Sequence, residues 1–173
     1  MTRLWKISGA LSGLLGFGYV EASSKYDQSQ EQPIFVLIPD GAIADAAKAA
    51  NASLPSFREL LAAEPKLDAS PIIKTYFPDP EGGGMWLWLS VDDVTEAGFN
   101  ASVFEAPAEF PEVSRGSKHF IPNGKVADWA ALISGVMHGG YSLRVQRNRL
   151  PEHERASYDR YIGASSYAPL PAP

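Results

Sequence analysis

The chain has 173 residues, of which 45% are hydrophobic and 11% aromatic, a composition typical of a single globular domain with a packed core. It contains no cysteine, which excludes disulfides, thiolate catalysis and cysteine-ligated zinc or iron–sulfur sites. The formal net charge of −5 argues against a general nucleic-acid-binding protein, so we expect no nucleic-acid partner.

The first 22 residues have the pattern of a secretory signal peptide. Arg3 and Lys6 precede residues 7–20, an uncharged run that is shorter than the roughly 20 apolar residues of a membrane-spanning helix. Small residues then stand at the positions that precede a cleavage site after Ala22. We therefore predict export, with a periplasmic or secreted mature chain that has no membrane span. The alternative is a buried or amphipathic helix in a cytosolic domain.

The next elements are a predicted strand and a predicted helix. Pro33–Ile38 is a continuous apolar run, which is typical of a strand covered on both faces. An alanine-rich segment with apolar residues at helical spacing follows Asp40, whose side chain can cap a helix. Pro55 interrupts this segment, and Ser56 and Glu59 have the spacing of a capping box. We therefore expect the helix to kink or restart there.

Beyond residue 70 the hydrophobic period changes to two, and turn residues recur as in an antiparallel meander. The predicted strands are Ile72–Phe77, Met85–Val91, Phe99–Glu105, Lys118–Ile121, Val126–Ile133 and Tyr141–Arg147. Val126–Ile133 also fits a helical period, so its type stays open. Ser134–Gly140 reads as a turn. A last helix opens at Pro151 and ends at Gly163.

These elements predict an α+β fold. An N-terminal strand and helix pack on a bent, mainly antiparallel sheet that resembles a small, partly open barrel, and a C-terminal helix closes the domain. The predicted segments are residues 1–22 (signal peptide), 23–32 (polar linker), 33–163 (one α+β domain) and 164–173 (disordered proline-rich tail).

Trp86 and Trp88 share one face of a predicted strand whose other face is also apolar. We expect Trp86 to lie in the core. Trp88 is either a core residue or part of an exposed platform for a sugar or a peptide.

A hairpin at Ser134–Gly140 would bring Asp128 close to Arg144 and allow an ion pair. Such a pair more often fixes a turn than performs acid–base chemistry. The candidate binding residues on this side of the domain are Trp88, Asp128, Trp129, Tyr141, Arg144 and Arg147.

Charge is distributed unevenly along the chain. Residues 23–112 contain 5 basic and 15 acidic residues, whereas residues 113–163 contain 8 basic and 4 acidic ones. The basic part is a docking surface that binds an acidic partner or anionic headgroups. Alternatively, it packs against the acidic part of the same domain.

The sequence contains no recognisable catalytic motif, phosphate-binding loop or metal-ligand spacing, so we predict no cofactor, no metal and no catalytic residue. The favoured function is a non-enzymatic binding module of the bacterial cell envelope, whose partner is an unidentified protein or envelope component. One alternative is a small hydrolase that uses Glu105 or Asp128 near His119. Another is an immunity-type inhibitor of a toxin.

Several short motifs occur in an order that resembles a bacterial family, domain of unknown function 2314, or YegJ-like. The motifs are Ile72-Ile73-Lys74 before Phe77-Pro78, Met85-Trp86-Leu87, Arg115-Gly116-Ser117 before Val126-Ala127-Asp128-Trp129, and Gly139-Gly140-Tyr141-Ser142-Leu143-Arg144. The resemblance extends from about residue 42 to residue 163. It implies a shared fold and transfers no activity.

Overall fold

We describe the protein from a computed structural model, which covers residues 41–63, 70–79, 84–104 and 113–171. The helices are α1 (Gly41–Ala52), α2 (Leu54–Ala63), α3 (Tyr141–Arg149) and α4 (Glu152–Tyr161). The strands are β1 (Ser70–Pro78), β2 (Gly84–Val94), β3 (Gly98–Val103), β4 (Lys118–Pro122), β5 (Asp128–Ile133), β6 (Val136–Gly139) and β7 (Ser166–Tyr167). The predicted signal peptide, polar linker and strand Pro33–Ile38 lie outside the described residues.

The described strands form one sheet with the order β4-β3-β2-β1-β5-β6-β7, and the sheet does not close into a barrel. Neighbouring strands are antiparallel except β6 and β7, which are parallel. The predicted α+β class with a C-terminal helix is therefore confirmed. The segment Val126–Ile133, whose type the sequence left open, contains a strand.

The helical segment restarts at Leu54, as Pro55 led us to expect. The Ser53 N–H donates to the carbonyl of Ala49, and the Phe57 N–H donates to the carbonyl of Ser53, so Ser53 joins the two helices. Pro55 is tolerated because it lies in the first turn of α2, where the helix has no partner for its N–H groups. The restart occurs two residues before the predicted capping box.

The alternation of side chains along the strands gives two apolar clusters, one on each face of the sheet. The first face packs against α1 and α2, with the buried residues Phe57, Ile73, Met85, Leu87, Leu89, Phe99, Ala101, Val103, Ile121, Trp129 and Tyr141. The second face packs against α4 and the residues that follow it, with Ile72, Trp88, Ala130, Met137, Leu143, Tyr158, Ile162 and Ala164.

The segment Tyr141–Arg147, predicted as a strand, is helical in α3, and the predicted turn Ser134–Gly140 contains β6. Tyr141, Leu143 and Val145 alternate with polar residues, which suggests a strand. However, Tyr141 and Val145 pack in the first cluster at the i, i+4 spacing of a helix, whereas Leu143 packs in the second. The helix therefore crosses the edge of the sheet and contributes side chains to both clusters.

The predicted disordered tail is wrong for residues 164–171. Helix α4 ends in a Schellman motif, in which the Gly163 N–H donates to the backbone carbonyl of Arg160 and the Ala164 N–H donates to that of Asp159. This motif turns the chain back, so that β7 pairs with β6. Composition alone suggests disorder here because residues 164–173 are uncharged and contain three prolines.

Truncation after Ala164 should lower the free energy of unfolding by about 2–4 kcal/mol, because it removes the β6–β7 pairing and the hydrogen bonds of Tyr167 and Ala168. Urea unfolding of the truncated protein measures the change. Truncation after Pro169 is the matched control and should leave stability nearly unchanged. Equal stability of both truncated proteins would support the disordered tail instead.

Candidate functional site

Asp128 lies at the start of β5 and is completely buried. One carboxylate oxygen accepts the backbone N–H groups of Trp129 and Tyr141, at 2.8 and 3.1 Å. The other accepts the N–H and the hydroxyl of Ser142, at 2.7 and 2.6 Å. Burial raises the pKa of Asp128, while the hydrogen bonds from Ser142 and Trp129 and the charge of Lys74 lower it. Asp128 thus caps the N-terminus of α3 from a neighbouring strand.

Trp129 and Tyr141 meet at the junction between α1 and α2. The Trp129 indole N–H contacts the carbonyl of Ala50 at 3.1 Å and the hydroxyl oxygen of Ser53 at 2.9 Å. The Tyr141 hydroxyl donates to the same Ser53 oxygen at 2.7 Å. Phe57 stacks on the Trp129 ring with 4.7 Å between ring centroids. These contacts hold α1, α2, β5 and α3 together.

Asp128, Trp129 and Tyr141, which the sequence suggested as binding residues, therefore do not lie on the surface of the domain. All three side chains are buried, and their polar atoms bind other groups of the same domain. They support the packing of the helices and do not form a surface that a partner could contact.

Arg144 does not form the predicted ion pair with Asp128. Its guanidinium donates instead to the carbonyls of Gly139, Met137 and Ala168, and it lies 5.0 Å from the ring centre of Tyr167. The prediction assumed a hairpin, whereas the helical α3 directs Arg144 towards β6 and β7. Burial lowers the pKa of Arg144.

Arg147 is also bound within the domain. Its guanidinium makes two hydrogen bonds to Asp159 on α4, at 2.7 and 2.8 Å, and it faces the ring of Tyr167. Burial raises the pKa of Asp159, but the hydrogen bonds from Arg147 and Tyr167 outweigh it, and the net shift is downward. Arg144 and Arg147 thus fasten the C-terminal segment through contacts that lie between residues 137 and 168, and these contacts do not involve the acidic residues 23–112.

Lys74, which the sequence analysis did not select as a candidate, lies in a row of three residues across the second face. It pairs with Trp88 on β2 and with Asp128 on β5. Lys74 is buried, with 6% of its surface exposed, and Trp88 is buried too. The Lys74 Nζ lies 6.0 Å from the ring centre of Trp86 and 5.8 Å from that of Trp88. The sequence signal was a lysine between Ile72 and Tyr76 on an otherwise apolar strand face.

The Lys74 ammonium has little compensation for its burial. Among the described residues its Nζ donates no hydrogen bond, and the Asp128 carboxylate lies beyond ion-pair distance. Burial lowers the pKa of Lys74 to about 8, although the charge of Asp128 raises it in part. A cationic group in this state favours either an incoming anion or loss of its proton.

We expect the free energy of unfolding to rise by about 2 kcal/mol between about pH 8 and about pH 10, because the unfolded chain then binds the Lys74 proton and the folded one does not. Above this window Tyr158 and Tyr167 act in the opposite direction, because burial raises the pKa of each. Urea unfolding across the pH range measures the slope. Lys74→Met should remove it, whereas Lys118→Met, at an exposed site, should retain it. An unchanged slope in Lys74→Met would contradict the assignment.

Beyond the buried Trp88, the second face carries aromatic side chains that are exposed or partly exposed. Tyr76 and Phe120 are 41% and 48% exposed, and Trp86 is partly exposed and lies 5.1 Å from the Tyr76 ring. We call this surface the open face and define it by Tyr76, Trp86, Ser90, Asn100, Ser102 and Phe120. An open cavity of about 370 Å³ lies at its β4 end, lined by Asp92, Asp93, Asn100, Lys118, His119 and Phe120.

His119 is not close to Asp128. Its ring packs against Phe77 on the first face, and its Nε2 lies 2.9 Å from the Ser117 hydroxyl oxygen, whereas Asp128 belongs to the second face. Glu105 lies outside the described residues. The described residues contain no cluster of three or more potential metal ligands. Within the same ranges, no helix has the length and hydropathy to span a bilayer.

Comparison with known proteins gives a family and one distant relative. A protein of Neisseria meningitidis serogroup B, named "Putative ankyrin repeat protein", is 25% identical over 99 residues. The match spans 56% of this chain and only 39% of that protein. No solved structure matches the chain. The sequence profile of a family described as uncharacterized and conserved in bacteria matches residues 40–165, nearly all of the described fold. The chain therefore belongs to this bacterial family, domain of unknown function 2314.

Proposed function

We propose that the protein is a binding module that contacts a protein partner through the open face. The observation that carries the proposal is the exposure of two large aromatic side chains, Tyr76 and Phe120, on the second face of the sheet. Aromatic side chains are enriched in the centres of protein interfaces, because they bury a large area and lose little conformational entropy.

The arrangement of polar groups supports binding over catalysis. The buried carboxylate of Asp128 is used to cap α3, and Arg144 and Arg147 are bound to carbonyls and to Asp159. A hydrolase site needs titratable groups that converge in a pocket, and the pair that the sequence suggested, His119 and Asp128, lies on opposite faces of the sheet.

The distant relative supports an interaction role as well. Its name refers to ankyrin repeats, which stack into extended concave surfaces that bind other proteins. A segment similar to this chain in such a protein is consistent with a domain that takes part in assembly.

Site-specific photo-crosslinking tests the proposal. A photoreactive amino acid placed at Tyr76 or Phe120 in the bacterial host should give a discrete adduct with one partner, identified by mass spectrometry. The matched control is the same amino acid at Glu59, which is exposed on α2 on the opposite side of the sheet. Adducts of the same composition from all three positions, or none from the open face, would contradict the proposal.

We further propose that the module acts outside the cytoplasm after removal of residues 1–22. Its support is the charge and hydropathy pattern of the N-terminal segment. Intact-mass measurement of the protein from periplasmic and cytoplasmic fractions should find a periplasmic species that begins at Ser23. A full-length cytoplasmic species would refute export and direct the search for the partner to the cytoplasm.

A further inference from the structure

We propose that Lys74, between Trp86 and Trp88, binds a carboxylate that a protein partner presents beside an aromatic or apolar side chain. This inference rests on the proposed function and specifies the chemistry of the partner. It combines two observations, a buried cation without a hydrogen-bonded partner and the exposed aromatic rings next to it.

The first step is the state of the ammonium group. A buried charge is stable when it is paired and hydrogen-bonded, and in the described structure Lys74 has neither an ion pair nor a hydrogen bond. The two indole rings stabilise the cation through their faces, but no described protein group accepts its three N–H donors, and the Nζ atom itself is open to solvent.

The second step is that the carboxylate next to Lys74 in the sheet, that of Asp128, already accepts hydrogen bonds from other groups. Asp128 accepts three hydrogen bonds from the start of α3 and one from the N–H of Trp129, so its oxygens are directed towards Tyr141 and Ser142. Asp92 and Asp93 lie at the far end of β2, where Ser102 and Asn100 donate to them. Asp128 is the only described carboxylate that affects Lys74, and a carboxylate from a partner would supply both the missing charge and the acceptor oxygens.

The third step concerns what lies beside that carboxylate. Tyr76 follows Lys74 on the same face of β1, and its exposed ring contacts the ring of Trp86. A partner group that contacts the ammonium would therefore lie beside the Trp86 ring and close to the Tyr76 ring that packs on it. An aromatic or apolar side chain next to the carboxylate would cover them, and its burial would add to the affinity.

A pair of probes that differ only in the carboxylate tests the inference. N-acetylphenylalanine carries an aromatic ring and a carboxylate, and N-acetylphenylalaninamide is its neutral counterpart. Titration of each into the full chain, followed by NMR through the indole N–H signals of Trp86 and Trp88, gives the two affinities. We expect the carboxylate to bind at least about tenfold more tightly.

Lys74→Met should reduce the affinity for N-acetylphenylalanine to that for the amide, and Lys118→Met is the matched control that should leave it unchanged. The wild-type protein gives an independent measurement if Lys74→Met does not fold. Its affinity for the carboxylate should fall by about tenfold or more between about pH 7 and about pH 10, because the amine loses its proton and Asp128 then dominates the local charge.

Equal affinities for the two probes, a wild-type affinity in Lys74→Met, or a pH-independent affinity would overturn the inference. Acetate that bound as tightly as N-acetylphenylalanine would also overturn it, since the rings would then contribute nothing. Specific adducts from Tyr76 and Phe120 combined with equal probe affinities would refute the carboxylate site alone. Absence of specific adducts refutes the binding module itself.

Discussion

Asp128→Ala should lower the free energy of unfolding by about 3–5 kcal/mol, a large part of the about 5–15 kcal/mol typical of a domain. The substitution removes four hydrogen bonds at once and leaves the N–H groups of Tyr141 and Ser142 buried without an acceptor. It also removes the negative charge that partly compensates Lys74. Urea or thermal unfolding measures the loss.

Asp45→Ala is the matched control, because Asp45 is exposed on α1 and pairs with Lys48 only at the surface. It should change stability by less than about 0.5 kcal/mol. If Asp128→Ala kept the stability of the wild type but abolished partner binding, Asp128 would be a binding residue, as the sequence suggested, and its role as a helix cap would be refuted.

Gly139→Ala should be about as damaging, with a loss of about 3–5 kcal/mol. Gly139 has a φ of +66°, and a Cβ atom there would lie 2.5 Å from the carbonyl oxygen of Trp129 and 2.5 Å from its ring. Backbone and a buried indole cannot move away without breaking the β5–β6 pairing. Denaturant unfolding gives the magnitude.

The loss at Gly139 has two causes, the left-handed backbone conformation and the close approach to Trp129, and Gly140→Ala separates them. Gly140 has nearly the same φ, +67°, but an added Cβ would meet side-chain atoms only at 3.4–3.5 Å. We expect a loss of about 1–2 kcal/mol from the left-handed conformation alone. Equal losses at the two positions would show that the close approach to Trp129 carries no energetic weight.

Local sequence patterns are sufficient to predict the elements that only need to pack one apolar face against the core. The alternating residues of β1 and β2 predict strands because their first-face side chains are apolar apart from Thr75. The restart before Pro55 follows from the restricted backbone of proline, and the end of α4 two residues before Gly163 follows from the left-handed conformation that glycine adopts readily. These features require no knowledge of the rest of the fold.

The remaining features depend on partners that are distant in sequence. Helix α3 is capped by Asp128, thirteen residues before Tyr141, so the N-terminal signal of the helix does not lie next to it. The exposure of Tyr76 and the burial of Trp88 depend on which strands the helices cover, although both residues belong to the same face. Lys74 is conspicuous only when β1, β2 and β5 are placed side by side.

The buried hydrogen bond between Ser53 and Tyr141 also limits how early the chain can fold during its synthesis. The two residues are 88 positions apart, so at about 5–20 residues per second Ser53 leaves the ribosome about 4–18 s before Tyr141 does. During this time the apolar sides of α1 and α2 have neither Trp129 nor Tyr141 to pack against. A nascent chain in this state offers chaperones an unfolded substrate for several seconds.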